Sequence, residues 1–527
     1  MLGLAVLCLI AIGLATAWFV RERIANSIIA GQLEDLGLPA TYEIESIGTS
    51  KQVLKNIVVG DPKRPDLVIP RAEVEFGARF GIPVLSVVRL EGARLYGSYH
   101  DGKVSFGALD PVIFAKRDGT SGLPDFYLTL IDARTRIESD YGVIGAKLEG
   151  KGNLRRSFRG NLAAVAPQLD FGGCRGSKAT LYGELTTLSA RTQFSGPLRL
   201  AALNCQNGQI SLKDTSTQLD LQLGERFDEL KGNYDLHGRS LTLQGTSARD
   251  IEAQGAFSLG TDGVVADYDL AANSVDMGFV AASELTLEGT VRSRSGQSGL
   301  DGEGTLGARA LRSGTDLAAT LGGLEKSGEG TLLAPLVKQL RTALVREERG
   351  SSLKASYVLR QTGAITQLTV PIAEVHGGSG TRLLGLSRVA VTVGMKGGPR
   401  FSGNFVTGGN GMPQMEGTAQ RNGSGGMQAR FSLAEYRAGS SAIALPDLRL
   451  VQLPGGQIGF AGRALVSGPL PGGEVRDLVL PVDGNWSERS GLSAWRRCTP
   501  VSFARFKVGN LSLQNRGLTL CPGKDGA

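Results

Sequence analysis

From Tyr42 onward, apolar and polar residues alternate with a period of two. Tyr42-Glu43-Ile44-Glu45-Ser46-Ile47, Gln218-Leu219-Asp220-Leu221-Gln222-Leu223, Glu284-Leu285-Thr286-Leu287-Glu288 and Arg388-Val389-Ala390-Val391-Thr392-Val393 are examples. Successive side chains of a strand point to opposite faces, so each run makes one apolar and one wet face. Turns containing glycine separate the runs, and Asp101-Gly102, Asp262-Gly263 and Asn422-Gly423 are hairpin turn pairs. The pattern predicts a mainly β fold, an elongated and curled antiparallel sheet that is groove-like along its apolar face.

Composition narrows this further. Of 527 residues, 75 are glycine, about twice the usual share of roughly 7%. Glycine costs backbone entropy inside helices and strands, so such a chain consists of short elements joined by turns and bends. The glycines have no three-residue period, which excludes collagen. Hydrophobic residues make up 41%, enough to bury a core and to exclude intrinsic disorder. The net charge of +7 is spread along the chain. No block of five or six like charges occurs, so nucleic acid is not an expected partner.

Three segments depart from the alternation. Met1 to Val20 is an uncharged run closed by Trp18, Phe19 and Val20 and followed by Arg21 and Arg23. At about 1.5 Å per residue it is about 30 Å long, enough to span a bilayer. A retained anchor at 1–20 is one reading; a signal peptide cleaved after Ala15-Thr16-Ala17 is the other. In both, the body at 38–527 is exported. Residues 21–37 read as a short juxtamembrane helix ending at Gly37. Residues 331–348 read as an amphipathic helix, with Leu332, Leu333, Leu336, Val337, Leu340 and Leu344 at helical spacing and Gly350 as the stop.

Cys8 lies in the first apolar run. The other four cysteines fall as two local pairs, Cys174 with Cys205 and Cys498 with Cys521. In an oxidising compartment they read as two short-range disulfides, the alternative being four free thiols. With three scattered histidines and no metal-ligand spacing, no metal site is expected. Gly302 to Gly307 fits the dinucleotide fingerprint and Gly145 to Lys151 most of a P-loop, but neither has the required strand–turn–helix context. No catalytic residue and no cofactor are expected, and the chain reads as a non-enzyme.

The chain resembles the AsmA-like and TamB-like envelope proteins, closest to the YdbH branch. The resemblance rests on the single N-terminal anchor leading into Leu36-Gly37-Leu38, on Leu54-Lys55-Asn56-Ile57-Val58-Val59-Gly60-Asp61-Pro62, and on Arg89-Leu90-Glu91-Gly92-Ala93-Arg94-Leu95-Tyr96-Gly97. The helix after Gly330 and the closing Leu518-Thr519-Leu520-Cys521-Pro522 add to it. It implies a protein held in the inner membrane with its body in the periplasm, and phospholipids as the ligand. They would pass along an apolar groove toward the outer membrane and support its integrity. It also implies a small outer-membrane lipoprotein as partner, completing an open sheet edge. The groove-lining candidates are Ile57, Val59, Val74, Phe76, Leu128, Leu130, Leu219, Leu221, Leu223, Leu241, Leu243, Leu285, Leu287, Val389, Val391 and Val393. Two other functions stay open at this point: a scaffold for assembling outer-membrane proteins, and a secreted β-solenoid surface protein.

Overall fold

A computed structural model describes residues 39–521, apart from 49–50, 80–81, 102, 114–122, 226–227, 295–298, 395–397, 422–425, 453–455 and 489–490. The expected membrane span at 1–20, the helix at 21–37, Gly102, the turn pair Asn422-Gly423 and Pro522 lie outside the described residues. The fold is mainly β, with thirty strands among the described residues. Among the described residues no helix is long and apolar enough to cross a membrane.

The chain forms two compact units. The first runs to Arg239 and takes in Ala256–Thr261; the second is Ser240–Gly255 with the chain from Asp262 on. In the first unit most neighbouring strands are antiparallel hairpins, but the sheet is mixed. The strand Tyr127–Ser139 pairs in parallel with both Ile82–Glu91 and Arg94–His100. At Gly92-Ala93 the ladder breaks between those two strands without a change of direction, so both run parallel to the strand that returns after the crossover. The amide of Gly92 donates to the Ile131 carbonyl at 2.8 Å, and that of Arg134 to the Ala93 carbonyl at 2.8 Å. A small core of Ile69, Ala72 and Ala93, with Ile57, Leu67, Leu90 and Ala133 around it, packs at this junction.

Strict alternation fails inside several strands. Asn56, Asp132, Lys178 and Asp214 in the first unit have left-handed backbone in mid-strand, as do Asp250, Ser274, Arg388, Asp477 and Asn515 in the second. Register shifts accompany the break between Leu130 and Ala133 and that between Ser387 and Ala390. An extra residue in one strand bends it and increases its twist. Composition points to glycine as the bending residue. These mid-strand positions instead carry polar or charged side chains, while many left-handed glycines, such as Gly245 and Gly363, sit in hairpin turns.

The second unit adds two helices, α1 (Thr315–Ser327) and α2 (Leu333–Glu348). The apolar spacing at 331–348 announces α2, whose Leu336, Val337 and Ala343 are buried. No such spacing announces α1. Gly322 and Gly323 stand in its middle, and each costs about 1 kcal/mol relative to alanine in a helix. Leu321 is its buried residue, and the carboxylate of Glu325 pairs with Arg341 of α2.

Candidate functional site

In the first unit, strand register sets apolar residues side by side across ten neighbouring strands. Starting from Ala40–Ile47 they are Ile44, Leu54, Ala72, Leu90, Leu130, Gly150, Gly160, Leu185, Phe194 and Leu221. At about 4.8 Å per strand the row is about 45 Å long in contour. Seven of these ten residues are half-buried rather than buried. A sheet face sealed beneath a second layer would bury nearly all of them, since core side chains are packed on every side.

The opposite face of the same strands is charged. Glu43, Lys55, Arg71 and Glu91 lie in register, as do Glu149, Asn161, Glu184, Ser195 and Asp220. Lys55 pairs with Glu45 at 3.0 Å, Arg71 with Glu73 at 2.7 Å and Arg159 with Glu184 at 3.0 Å. At the mid-strand break, Arg94 Nη2 donates to Asp132 Oδ2 at 2.6 Å. Arg134 reaches Oδ1 at 2.9 Å and Lys147 at 3.4 Å. The hydrogen bonds from Arg94 and Arg134 hold the Asp132 carboxyl at a pKa of about 2.

The second unit repeats the arrangement over twelve strands. Leu270, Leu287, Leu306, Ala355, Ala373, Leu386, Phe405, Gly417, Phe431, Leu448, Gly462 and Val482 are register partners in succession. Only Ala373 among them is buried; the other eleven are half-buried. Glycines within these strands make room for aromatic rings. Gly289 and Gly304 separate Tyr268 from Tyr357 in register, and the two phenol groups hydrogen-bond to each other. A Cβ on Gly304 would stand 2.1 Å from the Glu288 carbonyl oxygen and 2.7 Å from the Tyr357 hydroxyl. Burial, together with the bond to Tyr268, pushes the Tyr357 phenol above its usual pKa. At Gly417 a Cβ would stand 2.6 Å from the Phe431 Cβ and 2.8 Å from the Phe405 ring. Glycine opposite an aromatic ring keeps a strand paired where a side chain would not fit.

Helix α2 lies across one end of these strands. Gln339 Nε2 donates to the Arg437 carbonyl at 2.8 Å, and the Tyr436 hydroxyl lies 3.4 Å from the Leu336 carbonyl of the helix and 3.0 Å from the Gly411 carbonyl. Its C-terminal end is fixed by Glu347, whose side chain is 2% exposed. Glu347 Oε2 accepts from the Ser379 hydroxyl at 2.7 Å and from the Ser379 amide at 3.1 Å. These bonds from Ser379 hold the carboxyl below its usual range.

The candidate lining residues are placed as follows. Leu130 and Leu221 belong to the first row, and Leu287 to the second. Val74 and Leu128 both partner Val88, one position along, while Leu219 partners Gly196 and Leu223 partners Thr192. Ile57 partners Ile69, Val59 partners Leu67, and Phe76 partners Leu85. Leu285 lies between Ala272 and Ala308; Val389 partners Val370, Val391 lies between Leu368 and Phe401, and Val393 partners Thr366. Leu241 and Leu243 fall in the strand Leu230–Leu243. Val59 is buried, Leu243 and Val393 are exposed, and the remaining thirteen are half-buried. Sequence reasoning passes over the glycines and aromatics of the rows, because alternation of aliphatic residues alone does not single them out. The two nucleotide-like motifs lie inside strands, Gly142–Asn153 and Gly299–Arg309, where no helix N-terminus can receive a phosphate.

Both cysteine pairs are disulfides. Cys174 and Cys205 are direct cross-strand partners, and Cys498–Cys521 ties the segment before Thr499 to the residue after Leu520.

A search of curated proteins finds none that matches the chain. A protein-family model described as YdbH-like, intermembrane phospholipid transport protein YdbH, matches residues 9–524. With apolar rows in both units and that match over nearly its whole length, the chain belongs to the YdbH-like intermembrane phospholipid transport family.

Proposed function

We propose that the apolar rows are a path for phospholipid acyl chains, and that the protein conducts phospholipids between inner and outer membranes. The observation that carries this reading is that the rows are continuous, apolar and mostly half-buried. Each CH₂ removed from water onto such a surface gains about 0.8 kcal/mol. Because neighbouring positions along a row are alike, an acyl chain meets similar environments at each step and moves without a deep trap. The charged opposite face keeps the sheet soluble.

In this reading residues 1–20 are a retained inner-membrane anchor and the body lies in the periplasm. The two disulfides support an oxidising compartment. The sheet edge at Leu511–Leu520 takes a strand from a small outer-membrane lipoprotein. Among the described residues that strand has a single neighbour, Thr499–Val508, and Leu511 and Leu520 are exposed. The protein acts as a conduit that supports outer-membrane integrity, and not as an enzyme.

Photo-crosslinking tests the path. A photoreactive residue at Leu221 or Val391 is expected to capture phospholipid, whereas one at Glu184 on the charged face captures none. Protein-only adducts at both apolar positions would count against a conduit and in favour of a scaffold.

A further inference from the structure

The apolar face of the second unit carries a cation, Arg421, that has no ion-pair partner among the described residues. Arg421 closes the strand Met415–Arg421, in which Met415, Gly417, Ala419 and Arg421 are half-buried while Glu416, Thr418 and Gln420 are exposed. Its register partners are Phe401 on one side and Met427 on the other. Arg421 therefore shares the face of Gly417 and its row. Its Nε is buried and has no hydrogen-bond partner among the described residues. A buried donor left unsatisfied costs stability, so an Nε kept in this state needs an explanation beyond packing. The guanidinium points toward Gly398, where a Cβ would still be 3.8 Å from Nη2.

The position of Arg421 across the strip adds a direction. Helix α2 holds the other end of these strands, where Arg346 donates to the Asn410 carbonyl and Gln339 to that of Arg437. From Met415 to Arg421 the seven-residue strand spans about 20 Å. One leaflet's hydrocarbon depth is about 15 Å, half the bilayer core. A lipid lying along the strand direction would set its tails over Gly417 and Phe431 and its phosphate at Arg421.

Building on the conduit reading, we infer that Arg421 is a binding residue for the phosphodiester of a phospholipid, fixing the headgroup at the strand ends opposite α2. A planar guanidinium donates two parallel hydrogen bonds to phosphate oxygens, and the apolar flank formed by Phe401 and Met427 strengthens them by excluding water.

The test uses the full chain in detergent with a photoreactive residue at Phe431, comparing Arg421, Arg421→Gln and Arg421→Lys. The probes are a phospholipid, a diacylglycerol with the same tails, and excess inorganic phosphate. Wild-type protein is expected to prefer phospholipid over diacylglycerol roughly tenfold. Arg421→Gln removes the preference and leaves diacylglycerol capture unchanged, and Arg421→Lys keeps part of it. Inorganic phosphate does not displace the lipid. Without lipid, Arg421→Gln raises Tm by about 2 °C, because the buried, unsatisfied Nε donor is gone. An unchanged preference in Arg421→Gln overturns the role of Arg421 and leaves the conduit standing. Displacement by inorganic phosphate makes the site one for a free anion and overturns the lipid assignment. Capture of no lipid at Phe431 in the wild type overturns the conduit itself, and this inference with it.

Discussion

The two units keep an apolar row on one sheet face with partly different supports. The first uses strands and charge: its opposite face is a lattice of ion pairs, tightest where Arg94, Arg134 and Lys147 surround Asp132. The second adds a helix fastened across the strand ends by Glu347 and Ser379, and both units seat aromatic rings over glycines, Phe194 over Gly183 in the first and Tyr357 over Gly304 in the second. The difference teaches that continuity of the strip, and not any one supporting contact, is the shared requirement. It also predicts that the units respond to different perturbations.

The largest effect is expected in the second unit. Gly304→Val sets a branched side chain against the Glu288 carbonyl and the Tyr357 hydroxyl, and should cost about 4 kcal/mol through overpacking of a paired strand. Urea unfolding followed by hydrogen exchange should place the loss in the strands Val280–Arg294, Gly299–Arg309 and Ser352–Thr362. Little change there would mean the rings are not held over the glycines. Next come the disulfides, which close spans of 31 and 23 residues. By loop-closure entropy, replacing either pair with serine costs about 3–4 kcal/mol. Near-equal losses are expected in urea unfolding, and a loss well below this range in either unit would mean that its cross-link adds little to pairing already in place.

Electrostatics should separate the units more gently. The Asp132 carboxyl is lowered from its ordinary 3.8 to about 2 by its cationic partners. A depressed folded pKa stabilises at pH values above the unfolded pKa and is lost as the pH falls through the folded one. The stability gap between wild type and Asp132→Asn should thus be full at about pH 6 and close between about pH 4 and pH 2. A gap that persists below that range would assign the effect to packing. In α1, Gly322 faces open space, so Gly322→Ala should stabilise the second unit by about 1 kcal/mol, read as a raised Tm. Smallest of all, Lys51→Met removes a surface pair with Glu73, 3.1 Å long, and should change stability by about 0.5 kcal/mol or less, vanishing in high salt.

Much of this is legible in the chain. Alternation such as Glu284-Leu285-Thr286-Leu287-Glu288 is enough to place Leu287 on an apolar face, because a strand has only two faces. The cysteine pairs are legible because Cys174 and Cys205 lie symmetrically about one hairpin turn. Helix α2 is legible from its leucine spacing, whereas α1 is hidden by Gly322 and Gly323 and forms through its contact with α2. Pairing between Tyr127–Ser139 and two earlier strands is not legible, since parallel partners are set by a long crossover and not by local pattern. Nor is Arg421, which ends a polar-looking stretch and shows its character only when Phe401 and Met427 flank it.

In the first unit, the mid-strand residue Asp132 acts as a phase shifter: the register slip beside it keeps Leu130 of the apolar row and Ala133 of the junction core on one face. Strict alternation with Asp132 in place would turn Ala133, Thr135 and Ile137 to the charged side and rotate Arg134 and Arg136 inward; deleting Asp132 removes the extra residue and leaves those faces as they are. A one-residue deletion is therefore absorbed at this bulge, whereas deleting a regularly paired residue such as Thr135 inverts the rest of the strand.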